Sequence, residues 1–303
     1  MLIALLTLLG LAIFAYGSLL IRTAIAKRAR PGLEATGLGA VVSFLDALGI
    51  GSFATTTAWF KFRNMVADRL IPQTLLCGLT PGAMAQSIIF LLAFSGQLDP
   101  ILLFSCVIAV FLGGLVGVPL VTRARVWVVQ STVAIGLVLA AAAYIMQATG
   151  VFPHGGAASS LPLGLTIISV LANFGFGILA NFGVGNYAPT LVMFSLMGMD
   201  PRLAFPIMAG GAALMGAGSS FQHVRVGQVD LKVVLGLALG GIPAVFVAVY
   251  LVKEMDIAYL RWLVVVVVLY AAAVMAHSAI KGRREHKAEG ATLPLASELE
   301  AGA

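Results

Sequence analysis

Charge is what this 303-residue chain has least of: Asp, Glu, Lys and Arg make up 10% of it, against 60% hydrophobic residues. A soluble domain of this size could not cover its surface with so little polarity, so a water-soluble globule is excluded. Cysteine is scarce as well. Cys77 and Cys106 both fall inside apolar runs, where they read as small buried hydrophobes and not as a disulfide or a metal site. No His/Cys/Glu cluster occurs at ligand spacing, no nucleophile is paired with a base, and no nucleotide-binding loop is present. No enzyme activity, metal or cofactor is therefore expected. The G-x-G fragments in "GLGAVVSFLDALGIG" follow no strand and open no Rossmann unit. The formal charge of +6 does not imply nucleic acid either, because the basic residues form no aromatic-interleaved stripe and lie mostly in short connections between apolar runs.

Those runs are what the chain has in quantity. Mean hydropathy is +1.05, and apolar stretches separated by charge, Pro or Gly cover residues 1–21, 34–60, 71–94, 99–121, 126–148, 161–197, 203–222, 231–251 and 257–280. The pattern is that of an all-α polytopic membrane protein. The first run has no basic n-region before it and no clear cleavage site after it, so it reads as a spanning helix and not a removed signal. From about Glu285 the chain turns polar and reads as a disordered tail. The expected organisation is an N-terminal helix and basic loop (1–33), a first transmembrane repeat (34–150), a second (151–283) and a cytoplasmic tail (284–303).

The repeats show in one register. "GIGSFATT" at 49–56 and "GVGNYAPT" at 183–190 align without a gap, placing Gly49 on Gly183, Gly51 on Gly185, Phe53 on Tyr187, Thr56 on Thr190 and Pro72 on Pro206. "GVP" at 117–119 and "GIP" at 241–243 then match, as do Trp127 and Trp262. Such duplication is characteristic of secondary transporters.

The two runs that contain the G-x-G element, 34–60 and 161–197, are too long or too interrupted for one plain helix. If each crosses once, Lys and Arg divide almost evenly between the two faces. If each is a hairpin that returns to its own side, only Arg202, Lys253 and Arg261 of the 18 stay on the minority face. The positive-inside rule thus selects two broken or re-entrant hairpins of opposite topology, with the N-terminus outside and the C-terminus in the cytoplasm. The expected fold is an inverted repeat of two four-element halves, each opening on a hairpin, plus the N-terminal helix.

At a hairpin tip, backbone N–H groups need a partner other than lipid. Gly49, Gly51, Gly183 and Gly185 allow the reversal. Ser52 and Asn186 suit the N-cap of the leg that leaves each tip, and Thr55, Thr56 and Thr190 stand on the first turns. Two helix N-termini facing each other would hold a small anion. The alternative is an ordinary glycine-rich crossing, with hydroxyls bonded back to the helix. Asp46, three residues before Gly49, has Ala180 as its counterpart and reads either as an ion-coupling acid or as a cap on the tip. Asn173 and Asn181 share a helical face and either line a pathway or bond helix to helix. Gln73 and Gln86 read as interhelical hydrogen bonds, Lys61 and Arg63 as topology signals or a vestibule, and Trp59, Trp127 and Trp262 as interfacial anchors.

The hairpins "SFLDALGIGSFATT" and "NFGFGILANFGVGNYAPT", the two-half layout and the GVP/GIP helices resemble the TauE/SafE sulfite exporter family, also called the 4-toluene sulfonate uptake permease family, over roughly residues 34–280. The family's glycine pattern maps onto Gly49, Gly51, Gly183 and Gly185, with a departure at Asn186-Tyr187-Ala188-Pro189. The resemblance implies a permease of the bacterial inner membrane for small organosulfur or carboxylate anions. The function expected is alternating-access export of sulfite or an organosulfonate, coupled to an ion gradient. Uptake of small carboxylates or sulfonates and an anion channel are the alternatives. The partners expected are the small anion and the bilayer, with homo-oligomerisation open and nucleic acid excluded.

Overall fold

The computed structural model describes residues 1–48, 52–67, 70–94, 96–121, eight positions between 127 and 145, 158–180, 186–227, 229–256, 259, 262–263, 265–274 and 276–284. Gly49, Gly51, Asn181, Gly183 and Gly185 lie outside the described residues. Among the described residues the regular elements are helical, with a single bridge between Ala158 and Met199. They are α1 (Leu2–Ala26), α2 (Leu33–Ala47), α3 (Phe53–Arg63), α4 (Ile71–Phe94), α5 (Pro100–Val121), α6 (Leu163–Ala180), α7 (Tyr187–Leu196), α8 (Ala204–Val226) and α9 (Leu231–Glu254), followed by α10 (Val265–Arg284). The described positions from Trp127 to Ile145 are helical too. Seven of these helices, α1, α4, α5, α6, α8, α9 and α10, contain stretches long and apolar enough to cross a bilayer. The chain is an all-α polytopic membrane protein. Boundaries differ from the apolar runs where charge can snorkel: α1 continues past Arg22 to Ala26, and α8 through Arg225 to Val226.

Both interrupted runs fold back on themselves. Glu34 Oε1, at the start of α2, accepts from Arg63 Nε at 2.7 Å and from Trp59 Nε1 at 3.2 Å, both near the end of α3. In the second hairpin, Ser169 and Asn173 on α6 meet Met197 and Thr190 respectively, at 3.4 and 3.2 Å. The chain therefore reverses between the legs, as the charge distribution requires. The 11 residues of α3 and 10 of α7 rise only about 16 Å and about 15 Å, half the thickness of the hydrocarbon core. These legs are too short to span.

α4 and α8 are the most enclosed long helices and form the centre. Phe90 stacks on Phe205 with centroids 5.0 Å apart, and Thr80 Oγ1 lies 2.9 Å from Ser220 Oγ. Moving down α4 from Phe90 to Thr80 is moving up α8 from Phe205 to Ser220, so the two repeat-related helices are antiparallel. The remaining pairings exchange when the halves are swapped: α2 lies on α9 as α6 lies on α5, and α9 on α4 as α5 on α8. Glycines make the first of these pairings close. A side chain at Gly240 would meet the Thr36 carbonyl, and one at Gly39 the backbone of Leu237. On the other side, one at Gly113 would meet Phe174 O and one at Gly177 Val110 O. In a bilayer, where lipid is as apolar as Leu, such close backbone approach is what holds helices together.

One polar end gathers Lys27 against the Gly227 turn, the Glu34–Arg63 pair, and the Asp230 N–H donating to Thr74 Oγ1 at 3.0 Å. The other end joins Asp99 N to Ser159 O at 3.3 Å and Asp200 N to Ala158 O at 3.2 Å.

α1 stands outside the repeat. Leu5, Leu9, Tyr16 and Leu20 form its buried stripe, while Ile3, Leu11, Phe14, Ile21 and Ile25 face outward. Its anchor is Tyr16, whose hydroxyl donates to the Cys77 carbonyl at 2.7 Å. That carbonyl is four residues before Pro81, inside α4, and proline has no N–H to offer it. Tyr16 thus satisfies the acceptor that Pro81 leaves open. Tyr16→Phe should lower the stability of the detergent-solubilised protein by about 1 kcal/mol, read as a fall in melting temperature, whereas Ser18→Ala, at an exposed position bonded only within its own helix, should not.

Candidate functional site

The described residues that flank the two tips, Asp46, Ser52 and Tyr187, gather beside the central helix α4. In the first, Asp46 near the end of α2 reaches over the tip: its Oδ1 accepts from Ser52 N at 3.0 Å and from Ser52 Oγ at 2.9 Å. The carboxylate clasps the two legs together. In the second, Tyr187 opens α7, and its buried hydroxyl lies 3.5 Å from Gln86 Oε1 on α4 while also facing Asp46. Tyr187 consequently bridges one hairpin, the centre and the acid of the other hairpin.

Ser52 and Asn186 occupy the N-cap positions as expected, but neither side chain caps its own helix. Ser52 Oγ is drawn to Asp46, and Asn186 Nδ2 donates to the Met208 carbonyl of α8 at 3.2 Å. A tertiary partner has displaced the local one in each case, which leaves the first turns of α3 and α7 without a cap from their own N-cap residues. These N-termini are buried, with Ser52, Thr56, Asn186 and Thr190 all almost fully enclosed.

The hydroxyls divide. Thr56 Oγ1 and Thr55 Oγ1 both donate to the Ser52 carbonyl, at 2.7 and 2.9 Å, which is the back-bonded arrangement. Thr55 also borders an apolar groove of about 400 Å³ between the two legs, lined by Leu38, Val41, Leu45, Trp59 and Phe62. Thr190 Oγ1 donates to Asn173 Oδ1, and Asn173 Nδ2 donates to Ser169 O at 2.9 Å. Asn173 is thus a leg-to-leg tie in the second hairpin.

Gln86 meets its expected interhelical role only through Oε1, which accepts from Tyr187. It is 1% exposed, yet its Nε2 has no hydrogen-bond partner, so it does not act as an interhelical bond through its amide nitrogen. Ser220, its counterpart in the repeat register, is fully engaged, paired to Thr80 Oγ1 and with its carbonyl facing Cys77 Sγ at 3.7 Å. Gln73 Oε1 and Ser87 Oγ are likewise buried without a partner. Arg63 closes the base of its hairpin on Glu34 and Arg202 pairs with Asp200 at 3.0 Å. Among the described residues no three His, Cys, Asp or Glu side chains come together as a metal site.

Discontinuous helices whose ends approach a buried polar junction recur in membrane transporters. Residues 165–301 match the family described as Sulfite exporter TauE/SafE. Over that stretch, somewhat less than half of its length, the chain is similar to the TauE/SafE family. No curated protein and no solved structure matches the chain. The TauE/SafE match takes in α6 to α10, hence the whole second hairpin with Asn186, Tyr187 and Thr190. For residues 34–164 the resemblance rests on the repeat register and on the helix pairings that the two halves share. TauE/SafE proteins are a transporter family.

Proposed function

We propose that this protein is a secondary transporter of small sulfur-containing anions such as sulfite or an organosulfonate, exporting them by alternating access and coupled to an ion gradient. The observation that carries this reading is the meeting of Asp46, Ser52, Tyr187 and Gln86 at one buried polar junction, where neither N-cap residue caps its own helix. Helix N-termini attract oxyanions through their N–H groups and dipoles. The transported anion sits between them, and the substrate-facing residues are Gly49, Gly51, Ser52, Thr56, Gly183, Gly185, Asn186 and Thr190, with Thr55 and Asn181 beside them. Asp46 is the ion-coupling group.

The antiparallel packing of α4 on its repeat partner α8 supports an inverted relation between the halves 34–150 and 151–283. The concentration of basic residues at the end that holds Lys27, Arg63, Arg225 and Lys232 supports that end as cytoplasmic in a bacterial inner membrane, with the N-terminus outside and the tail 284–303 inside. Homo-oligomerisation is compatible with the apolar groove between α2 and α3.

The test is flux. Protein reconstituted in liposomes should move sulfite or methanesulfonate saturably, faster with a proton gradient than without. Uptake of acetate in preference to both would favour a carboxylate permease; unsaturable, gradient-independent flux would favour a channel; no anion flux at all would sink transport.

A further inference from the structure

We propose that the side-chain amide of Gln86 is a ligand of the transported anion, donating from Nε2 to one of its oxygens at the junction of the two hairpins. This assignment rests on the anion-transporter reading and adds to it a residue of the central helix α4, outside both glycine-rich tips.

Three observations carry it. First, a buried amide nitrogen without an acceptor is costly, because its hydrogen bonds to water are lost and nothing replaces them. Gln86 is 1% exposed and its Nε2 has no partner. A group kept in that condition is explained by an acceptor that arrives and leaves. Second, the amide points to the right place: its Oε1 is 3.5 Å from the hydroxyl of Tyr187, the first residue of α7. The free N–H₂ on the same planar group is therefore beside the Tyr187 hydroxyl and the Asp46 carboxyl that this hydroxyl faces, at the polar junction. Third, the matching position in the other half is built differently. Ser220 sits in a closed set with Thr80 and Cys77. The residues of α8 that correspond to Thr80 and Cys77 are Leu214 and Gly211, which have no side-chain acceptor to give Gln86. The repeat has polar closure on one side and an open donor on the other.

The chemistry fits an oxyanion. Asp46, the acid facing the same Tyr187, already accepts two hydrogen bonds from Ser52, and when ionised it has no donor for an anion. The Gln86 amide supplies one without adding charge, so it can hold an anion while leaving the balance of the site to Asp46. An amide also reads an oxygen acceptor in a fixed direction, which makes Gln86 a specificity residue as well as an affinity residue.

The decisive variant is Gln86→Met, which keeps the side-chain length and removes the donor. In liposomes it should raise KM for sulfite and for methanesulfonate at least tenfold. Its melting temperature in detergent should equal or exceed that of the parent, because an unsatisfied amide has been removed. Gln86→Glu, the same shape with a negative charge in place of the donor, should lose more flux than Gln86→Met. A KM within twofold of the parent in Gln86→Met overturns the assignment. A Gln86→Met protein that melts well below the parent overturns it too, since the amide would then be holding helices together. A parent protein that moves neither anion refutes the transporter reading itself; a parent that moves both while Gln86→Met matches it refutes only the role of Gln86.

Discussion

Gly240→Ala should prevent the membrane core from assembling. A methyl group at this position on α9 would occupy the space of the Thr36 carbonyl on α2 and press on Ala40 N. Both obstacles are main chain, so no rotamer change relieves the overlap, and α2 would have to leave α9 along the whole of their shared length. Overpacking a rigid contact costs about 1–3 kcal/mol when side chains can adjust, and here they cannot, so the loss is expected above about 3 kcal/mol. In a bilayer no hydrophobic force restores the contact, because lipid competes for the same faces. The yield of monodisperse protein after detergent extraction should collapse for Gly240→Ala, and for Gly113→Ala on the other side, where Phe174 O stands in the way. Gly164→Ala and Gly175→Ala have nothing within 4 Å of the added methyl, and should be neutral or stabilising by up to about 1 kcal/mol. If Gly240→Ala extracts and melts like the parent, the α2–α9 contact is not as close as described.

Asp46→Asn should separate the two roles open to this acid. The asparagine carbonyl oxygen can still accept from Ser52 N and Ser52 Oγ, so the clasp across the first tip survives. What is lost is the ability to change charge. An ionised Asp46 repels an anion bound at the junction: two unit charges about 6 Å apart at an effective dielectric of about 20 interact by about 3 kcal/mol, close to a hundredfold in affinity. On the proposed reading, protonation of Asp46 would remove that repulsion and so tie anion movement to proton movement. Asp46→Asn should therefore run anions down their own gradient at a rate within a fewfold of the parent, with no response to a proton gradient and no accumulation against a gradient. Asp46→Ala, which also unclasps Ser52, should lose downhill flux as well. Retained proton-driven accumulation in Asp46→Asn would leave Asp46 as a structural clasp alone.

How far the sequence foretold this site differs from residue to residue. The hairpins were legible because lipid penalises misplaced charge: one crossing or two at 34–60 decides where Lys61, Arg63, Arg69, Arg123 and Arg125 reside, and the Glu34–Arg63 pair reflects that choice. The repeat register rests on glycines at 49, 51, 183 and 185, outside the described residues, and what the structure adds is the set of helix pairings that the two halves share. Ser52 and Asn186 were misjudged in detail because N-cap preference is local, whereas Asp46 and the Met208 carbonyl reach them from outside their helices. Gln86 was not legible. A glutamine in an apolar run reads the same whether its amide is paired or open, and only the antiparallel setting of α4 against α8 reveals that nothing there accepts from it. Tyr16 gave no signal either, although the carbonyl it serves was foreseeable from Pro81.

That carbonyl bears on the order in which the chain is made. A proline in the middle of α4 sends an unpaired C=O of Cys77 into hydrocarbon at the moment the segment leaves the ribosome's exit site and enters lipid. The one side chain that answers it belongs to α1, synthesised some sixty residues earlier. The first helix thus carries a donor that the sequence of α4 alone lacks.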